Sequence, residues 1–119
     1  MEQRSAHFGV DFMPMEAKRI ILKIRILGRL KQRGRTYSYA LIKEFERRGF
    51  SKFYGPTLKN DMYNALRTLE KAGYIKPSSR AEGGKVKIYY TITERGEKAL
   101  KSVGRMMMQT VKQAGRLFG

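Results

Sequence analysis

The spacing of the apolar residues changes at Gly73 and changes back at Thr93. Before Gly73 and after Thr93 they recur every three or four positions, the period of a helix with one buried face. Between them they alternate, the period of a strand. That order predicts three helices, a β-hairpin and a last helix. It is the layout of a winged helix-turn-helix, an α+β fold that is mostly α.

The first helix is expected from about Ala17 to Gln32, with Ile20, Ile24, Leu27 and Leu30 as its stripe, widened by Ile21 and Ile26. Gly34 suits its stop. Ser38 suits an N-cap for a second helix that runs through Leu41, Ile42 and Phe45 to Gly49. Phe50 to Pro56 reads as a loop. A third helix runs from Leu58 to Ala72 with Leu58, Met62, Ala65, Leu66 and Leu69 on one face.

Tyr74-Ile75-Lys76 starts a strand, and Glu82-Gly83-Gly84 supplies a hairpin turn. Val86, Ile88, Tyr90 and Ile92 then alternate with Lys85, Lys87, Tyr89 and Thr91, which reads as a half-buried strand. Thr93 caps the last helix, which extends from Glu94 to about Phe118 with Glu94 and Glu97 in its first turn. No internal repeat is evident. Three regions are expected: an N-terminal arm over 1–16, a winged helix-turn-helix domain over 17–93 and a separate C-terminal helix over 94–119.

Composition narrows the function classes. A chain of 119 residues holds one domain plus one long helix, and 41% hydrophobic with 30% charged residues is the balance of a soluble globular protein. Ile20-Ile21-Leu22 is cut short by Lys23 and Arg25, far below the ~18–20 apolar residues that span a bilayer, and Met1-Glu2-Gln3-Arg4 does not begin a signal peptide. A cytoplasmic location with no membrane partner is expected.

With no cysteine, disulfides and thiolate metal sites are excluded. The one histidine, His7, falls in the arm and reads as a surface residue. No acidic cluster has metal-ligand spacing. Gly84-Lys85 lacks the following Ser or Thr of a phosphate loop, because Val86 stands there, and Ser79 occupies the place of its first Gly. No enzyme activity, cofactor or metal is expected.

The net charge is +16, from 26 basic and 10 acidic residues, and eight of the basic ones lie between Lys18 and Arg35 with no acid among them. Such an excess costs self-repulsion, and a polyanionic partner is the usual reason to keep it. The plain alternatives are a generally basic proteome or an anionic membrane surface. Charge does not separate DNA from RNA.

With the apolar face of the third helix turned inward, its opposite face carries Asn60, Tyr63, Asn64, Arg67 and Lys71. Asn pairs with adenine, Arg with guanine, and Tyr and Lys reach phosphate. The bland reading is a solvated helix face. A wing bearing Lys76, Arg80, Lys85 and Lys87 against a single Glu82 favours the functional one. The candidate DNA contacts are therefore Ser38, Tyr39, Lys59, Asn60, Tyr63, Asn64, Arg67, Lys71, Arg80, Lys85 and Lys87.

At 1.5 Å per residue the last helix is a rod of roughly 37 Å, too long for the body to cover. Leu100, Val103, Met107, Val111, Ala114 and Phe118 nevertheless keep a stripe along it, with Met106 and Leu117 beside it. A second copy of the helix is the simplest partner, which makes these the candidate homodimerisation residues. The alternative is that the stripe packs back on the first helix. Met106-Met107-Met108 reads as adaptable packing.

Tyr37-Ser38-Tyr39-Ala40-Leu41-Ile42 resembles the start of helix two in PadR-type regulators. Met62-Tyr63-Asn64-Ala65-Leu66-Arg67, with Leu69-Glu70 and Gly73-Tyr74-Ile75, resembles their recognition helix and its exit. Lys87-Ile88-Tyr89-Tyr90-Thr91-Ile92-Thr93-Glu94-Arg95-Gly96 resembles their second wing strand and the start of the last helix. The resemblance covers about residues 20–100. Ser38 stands where the family often has Gly, Asn64 where it often has Pro, and the 50–57 loop is long.

The resemblance implies a dimeric transcriptional repressor of double-stranded DNA, in a family some of whose members respond to small aromatic or drug-like molecules; nothing in this sequence points to such an effector. MarR-type and related winged-helix regulators share the layout. The rival classes are an RNA-binding, ribosome-associated or non-specific chromatin protein, and a protein-interaction module, against which the charge argues. A sequence-specific regulator would prefer one inverted repeat over random DNA by ~10³-fold or more.

Overall fold

The computed structural model describes residues 14–118, the side chains of Leu117 and Phe118 excepted. The arm with His7, up to residue 13, therefore lies outside the described residues, as does the Phe118 side chain.

The elements are α1 (Met15–Arg33), β1 (Thr36–Tyr37), α2 (Ser38–Arg47), α3 (Ser51–Tyr54), a 3₁₀ turn (Gly55–Thr57), α4 (Leu58–Lys71), β2 (Ile75–Glu82), β3 (Lys85–Ile92) and α5 (Glu94–Phe118). The three strands form one antiparallel sheet in the order β1-β3-β2. This is the expected winged helix-turn-helix with a long C-terminal helix.

The core sits where α1, α2 and α4 meet the root of the sheet. Leu22, Ile26 and Leu30 of α1, Leu41 and Phe45 of α2, and Met62 and Leu66 of α4 are each no more than 2% exposed. Each such side chain contributes about 1.5–3 kcal/mol by leaving water, so these contacts dictate how the helices cross. The α4 stripe is as expected: Leu58, Met62, Ala65, Leu66 and Leu69 are all buried.

Along α1 the phase differs from expectation. The buried residues are Leu22, Ile26, Leu27 and Leu30, whereas Ile20 is 55% exposed. Ile21 and Ile24 turn instead toward α5. So α1 has two apolar sides, one for the core and one for α5.

Three local differences have clear causes. Phe50 to Pro56 is no loop: Phe50 packs on Phe45 at 4.5 Å and stacks with Tyr54, whose hydroxyl donates to the Lys18 carbonyl at 3.0 Å, and this folds the segment into α3 and the 3₁₀ turn. Ser38 is the first residue of α2 but its side chain makes no capping bond. Its neighbours Thr36 and Tyr37 pair instead with Tyr90 and Tyr89, adding a strand that no periodicity announces.

The third concerns β3. Tyr90 and Ile92 pack against the core, but Val86 is 72% and Ile88 49% exposed, because the core cluster of the described residues reaches only the inner half of the hairpin. The turn itself is as expected, with Gly83 and Gly84 at φ 57° and 78° between the paired Glu82 and Lys85. Positive φ at both central positions gives the twist that suits a two-residue hairpin.

Thr93 caps α5 as expected. Its hydroxyl accepts from the Gly96 N–H at 3.0 Å and donates to the Gly73 carbonyl at 2.7 Å, which ties the end of α4 to the start of α5. Among the described residues no helix is long and apolar enough to cross a membrane.

Candidate nucleic-acid interface

α4 presents three sides to its surroundings. Its apolar side faces the core, and Lys59, Asn60, Asn64, Arg67 and Lys71 are exposed, with Tyr63 37% exposed beside them. Arg67 Nη1 donates to Asn64 Oδ1 at 2.9 Å. The candidate residues of α4 therefore share one accessible surface.

One flank of that surface meets the sheet. Burial and then the Glu70 carboxylate push the Tyr90 phenol above its ordinary pKa, the Arg67 guanidinium pulls it back, and Tyr63 raises it slightly. Tyr90, at the root of β3, is thus within electrostatic range of Tyr63, Arg67 and Glu70. The other flank meets α1 across a cleft of about 380 Å³, with Arg19 and Lys23 on the α1 wall and Asp61, Asn64, Arg67 and Thr68 on the α4 wall.

The two faces of the β2–β3 ribbon differ in chemistry. Tyr90 shares its face with Ile92, Ile88 and Val86, paired across to Pro77, Ser79 and Ala81. Lys85, Lys87 and Tyr89 lie on the opposite face with Arg80, where Tyr89 meets Tyr37 edge-on at 5.3 Å. The Lys87 ammonium lies 4.5 Å from the Tyr37 ring, and Arg35 and Arg80 lie 5.3 and 5.8 Å from the Tyr89 ring.

Glu82 stands inside this cluster. It accepts from the Tyr89 hydroxyl at 3.0 Å and lies 3.7 Å from Lys87 and 3.9 Å from Arg80. The Tyr37 phenol first, then Glu82 and Tyr89, hold Lys87 above its ordinary pKa despite an opposing desolvation. The ribbon cations are thus arranged by aromatic rings and one carboxylate, away from the face that carries Tyr90.

Ser38 and Tyr39 are in the first turn of α2, next to β1. Tyr39 is 58% exposed with the Lys43 ammonium 5.5 Å from its ring. No hydrogen bond, ion pair or ring contact links them to the α4 candidates among the described residues. Arg19 and Lys23 were not among the sequence candidates. The run of eight cations contained them, but assigning the stripe to Ile20 instead of Leu22 hid which of its cations border α4.

α5 divides the stripe. Leu100 packs on the core and Val103 is half-buried, both facing Ile21, Ile24 and Gly28 of α1 across a groove of about 700 Å³. Further on, Met107 and Val111 are 59% and 64% exposed, Met106 and Met108 are 69% and 59% exposed, and Ala114 is exposed too. The proximal half packs back on the first helix and the distal half is uncovered.

The profile of the transcriptional regulator PadR-like family matches residues 26–102. A PadR family transcriptional regulator from Eggerthella lenta is 27% identical, with 87% of this chain aligned to 86% of that one at a TM-score of 0.67. A transcriptional regulator from Clostridium thermocellum is also 27% identical, with coverages of 90% and 99% and a TM-score of 0.68. Bacillus subtilis PadR in complex with operator DNA is 28% identical over 69% of this chain and 45% of that one, with a TM-score of 0.58. No curated protein matches. Since the profile spans well over half of the 119 residues, from the middle of α1 into α5, the chain belongs to the transcriptional regulator PadR-like family.

Proposed function

We propose that this chain is a sequence-specific double-stranded DNA-binding transcriptional repressor that acts as a homodimer in the cytoplasm, by binding and without catalysis. The observation that carries the reading is the exposed front of α4. Asn60, Asn64, Arg67 and Lys71 stand there together, between the cations of α1 and the β2–β3 ribbon. Asn and Arg are the side chains that hold base edges by paired hydrogen bonds, each worth about 1–3 kcal/mol of discrimination in the major groove.

In this reading α4 enters the major groove and the ribbon lies along the flanking backbone. Arg80, Lys85 and Lys87 approach phosphates from the ribbon face opposite Tyr90. Lys59, Ser38 and Tyr39 contact the backbone at the ends of their helices. Residues 17–93 act as the DNA-binding unit and 94–119 as the dimerisation helix. The Bacillus subtilis relative seen with operator DNA supports a duplex as the partner.

The dimer is supported by the distal half of α5. By helical period its cations Arg105, Lys112 and Arg116 lie opposite Met107 and Val111, so two stripes can meet without bringing the charges together. Two copies related by a two-fold axis would set their α4 helices on half-sites about 34–36 Å apart.

Selection of bound duplexes from a random pool tests the reading. A regulator of this kind enriches an inverted repeat and prefers it over random DNA by ~10³-fold or more. Enrichment of no sequence, or equal affinity for structured RNA, would replace it with a non-specific or RNA-binding role.

A further inference from the structure

We propose, resting on that reading, that the cleft between α1 and α4 seats a backbone phosphodiester of the same duplex, held by Arg19 and Lys23. These side chains lie four residues apart on one face of α1 and line a single cleft of about 380 Å³. Between them, Leu22 is buried in the core at 1% exposure. The two charges are therefore carried on a helix that the core holds fixed.

The electrostatics of the cleft are unbalanced. Arg19, Lys23 and Arg67 face one carboxylate, Asp61, which already accepts from the Thr57 hydroxyl at 2.9 Å. Neither Arg19 nor Lys23 forms an ion pair among the described residues. Further along α1 the pattern is different: Arg29 and Arg33 share Glu44, and Lys31 meets Glu97. Arg19 and Lys23, by contrast, border α4 without such a carboxylate partner among the described residues.

Position identifies the anion. Asn64 belongs both to the cleft wall and to the exposed front of α4, and it holds the Arg67 guanidinium at 2.9 Å. An anion in the cleft would thus sit one side chain away from the proposed base-reading groups. In a duplex lying on α4, the group at that distance from the base edges is the backbone phosphate. Phosphate contacts fix the register of a recognition helix and carry no sequence information themselves.

The test is the salt dependence of binding for the double variant Arg19→Gln/Lys23→Gln, measured on the selected duplex and on a random one. Each lost phosphate contact makes the slope of log K against log salt shallower by about 0.9, so a change of about 0.9 is expected per bound protomer for this single seat. Both duplexes should lose affinity by the same factor, leaving base preference unchanged. The charge-preserving variant Arg19→Lys/Lys23→Arg should keep the wild-type slope, which separates charge from any effect on folding.

An unchanged slope in the glutamine variant, or a loss confined to one sequence, would overturn the phosphate seat while leaving duplex binding intact. A wild-type protein with a flat salt response would instead sink the duplex-binding reading itself, and the seat with it.

Discussion

Arg67 Nη1 donates to Asn64 Oδ1 at 2.9 Å, three residues back on α4. The bond joins the two α4 side chains best suited to reading bases and restricts a guanidinium that would otherwise sample many rotamers. In the proposed complex Arg67 keeps its remaining N–H groups for a guanine, while the second lone pair of Asn64 Oδ1 and its amide N–H groups stay available. The two residues therefore act as a unit.

Removing Arg67 tests that unit. Arg67→Ala should cost about 1–3 kcal/mol on the selected duplex and relax preference at one base pair. Asn64→Ala should weaken the same position, and the double variant should cost less than the sum, as expected for side chains in direct contact. Anisotropy titrations against the selected duplex and its single-base substitutions give all three values. Equal loss on every sequence would make Arg67 a phosphate contact.

Gly96 is a packing requirement that the resemblance pointed to without a reason. A methyl placed there would fall on the Tyr74 carbonyl oxygen, inside any permitted contact, and within 2.8 Å of Ile92 Cγ1. The same carbonyl accepts from the Thr93 N–H at 3.0 Å, so it cannot move aside without losing the start of α5. Gly96→Ala should destabilise the fold by about 1–3 kcal/mol, at the upper end because the clash is with backbone. At roughly 4 °C per kcal/mol for a domain of this size, a thermal melt resolves it. An unaltered melting temperature would mean that the α4–α5 junction is looser than its hydrogen bonds imply.

The helices and the hairpin were legible because each carries its own period. Leu58, Met62, Leu66 and Leu69 are spaced so that one assignment fits them all. The α1 stripe was harder: Ile20, Ile21, Leu22, Ile24, Ile26 and Leu27 crowd eight positions, and several phases fit until the α4 partner of Leu22 is known. Alternation in β3 established which residues share a face, but not that Val86 and Ile88 would be uncovered, since exposure depends on what lies opposite. Thr36 and Tyr37 form a strand only because Tyr90 and Tyr89 are beside them. The α4 candidates followed from period alone, whereas Arg19 and Lys23 needed the relative placement of two helices.

Ion pairs on this surface should differ widely in worth. Arg29 Nε donates to both Glu44 oxygens at 2.9 and 2.8 Å, and the two side chains are only 10% and 12% exposed. Arg33 and Arg48 also lie within 4 Å of that carboxylate, at 3.4 and 3.9 Å. Glu44→Ala would strand three guanidiniums around an empty site. Losing one partner of a fully buried pair costs about 3–5 kcal/mol, and the residual exposure here lowers that to about 2–3 kcal/mol. Lys31 and Glu97, about half exposed at 3.2 Å, should contribute less than about 1 kcal/mol. Denaturant melts of Glu44→Ala and Glu97→Ala check the ranking, and equal losses would refute it.

The distal half of α5 offers the sharpest test of the dimer. Val111 lies beyond the α1–α5 groove, is 64% exposed, and makes no core contact among the described residues. Val111→Glu should therefore leave the melt of the winged-helix body nearly unchanged. In a dimer the same substitution places a carboxylate from each protomer into an apolar seam, where burying an unpaired charge costs several kcal/mol. Sedimentation should then report monomers. Affinity for an inverted repeat should fall steeply while affinity for an isolated half-site stays close to wild type, because the second half-site no longer binds at a high effective concentration. A dimer mass retained by Val111→Glu would show that the protomers, if paired at all, meet elsewhere than along Met107 and Val111.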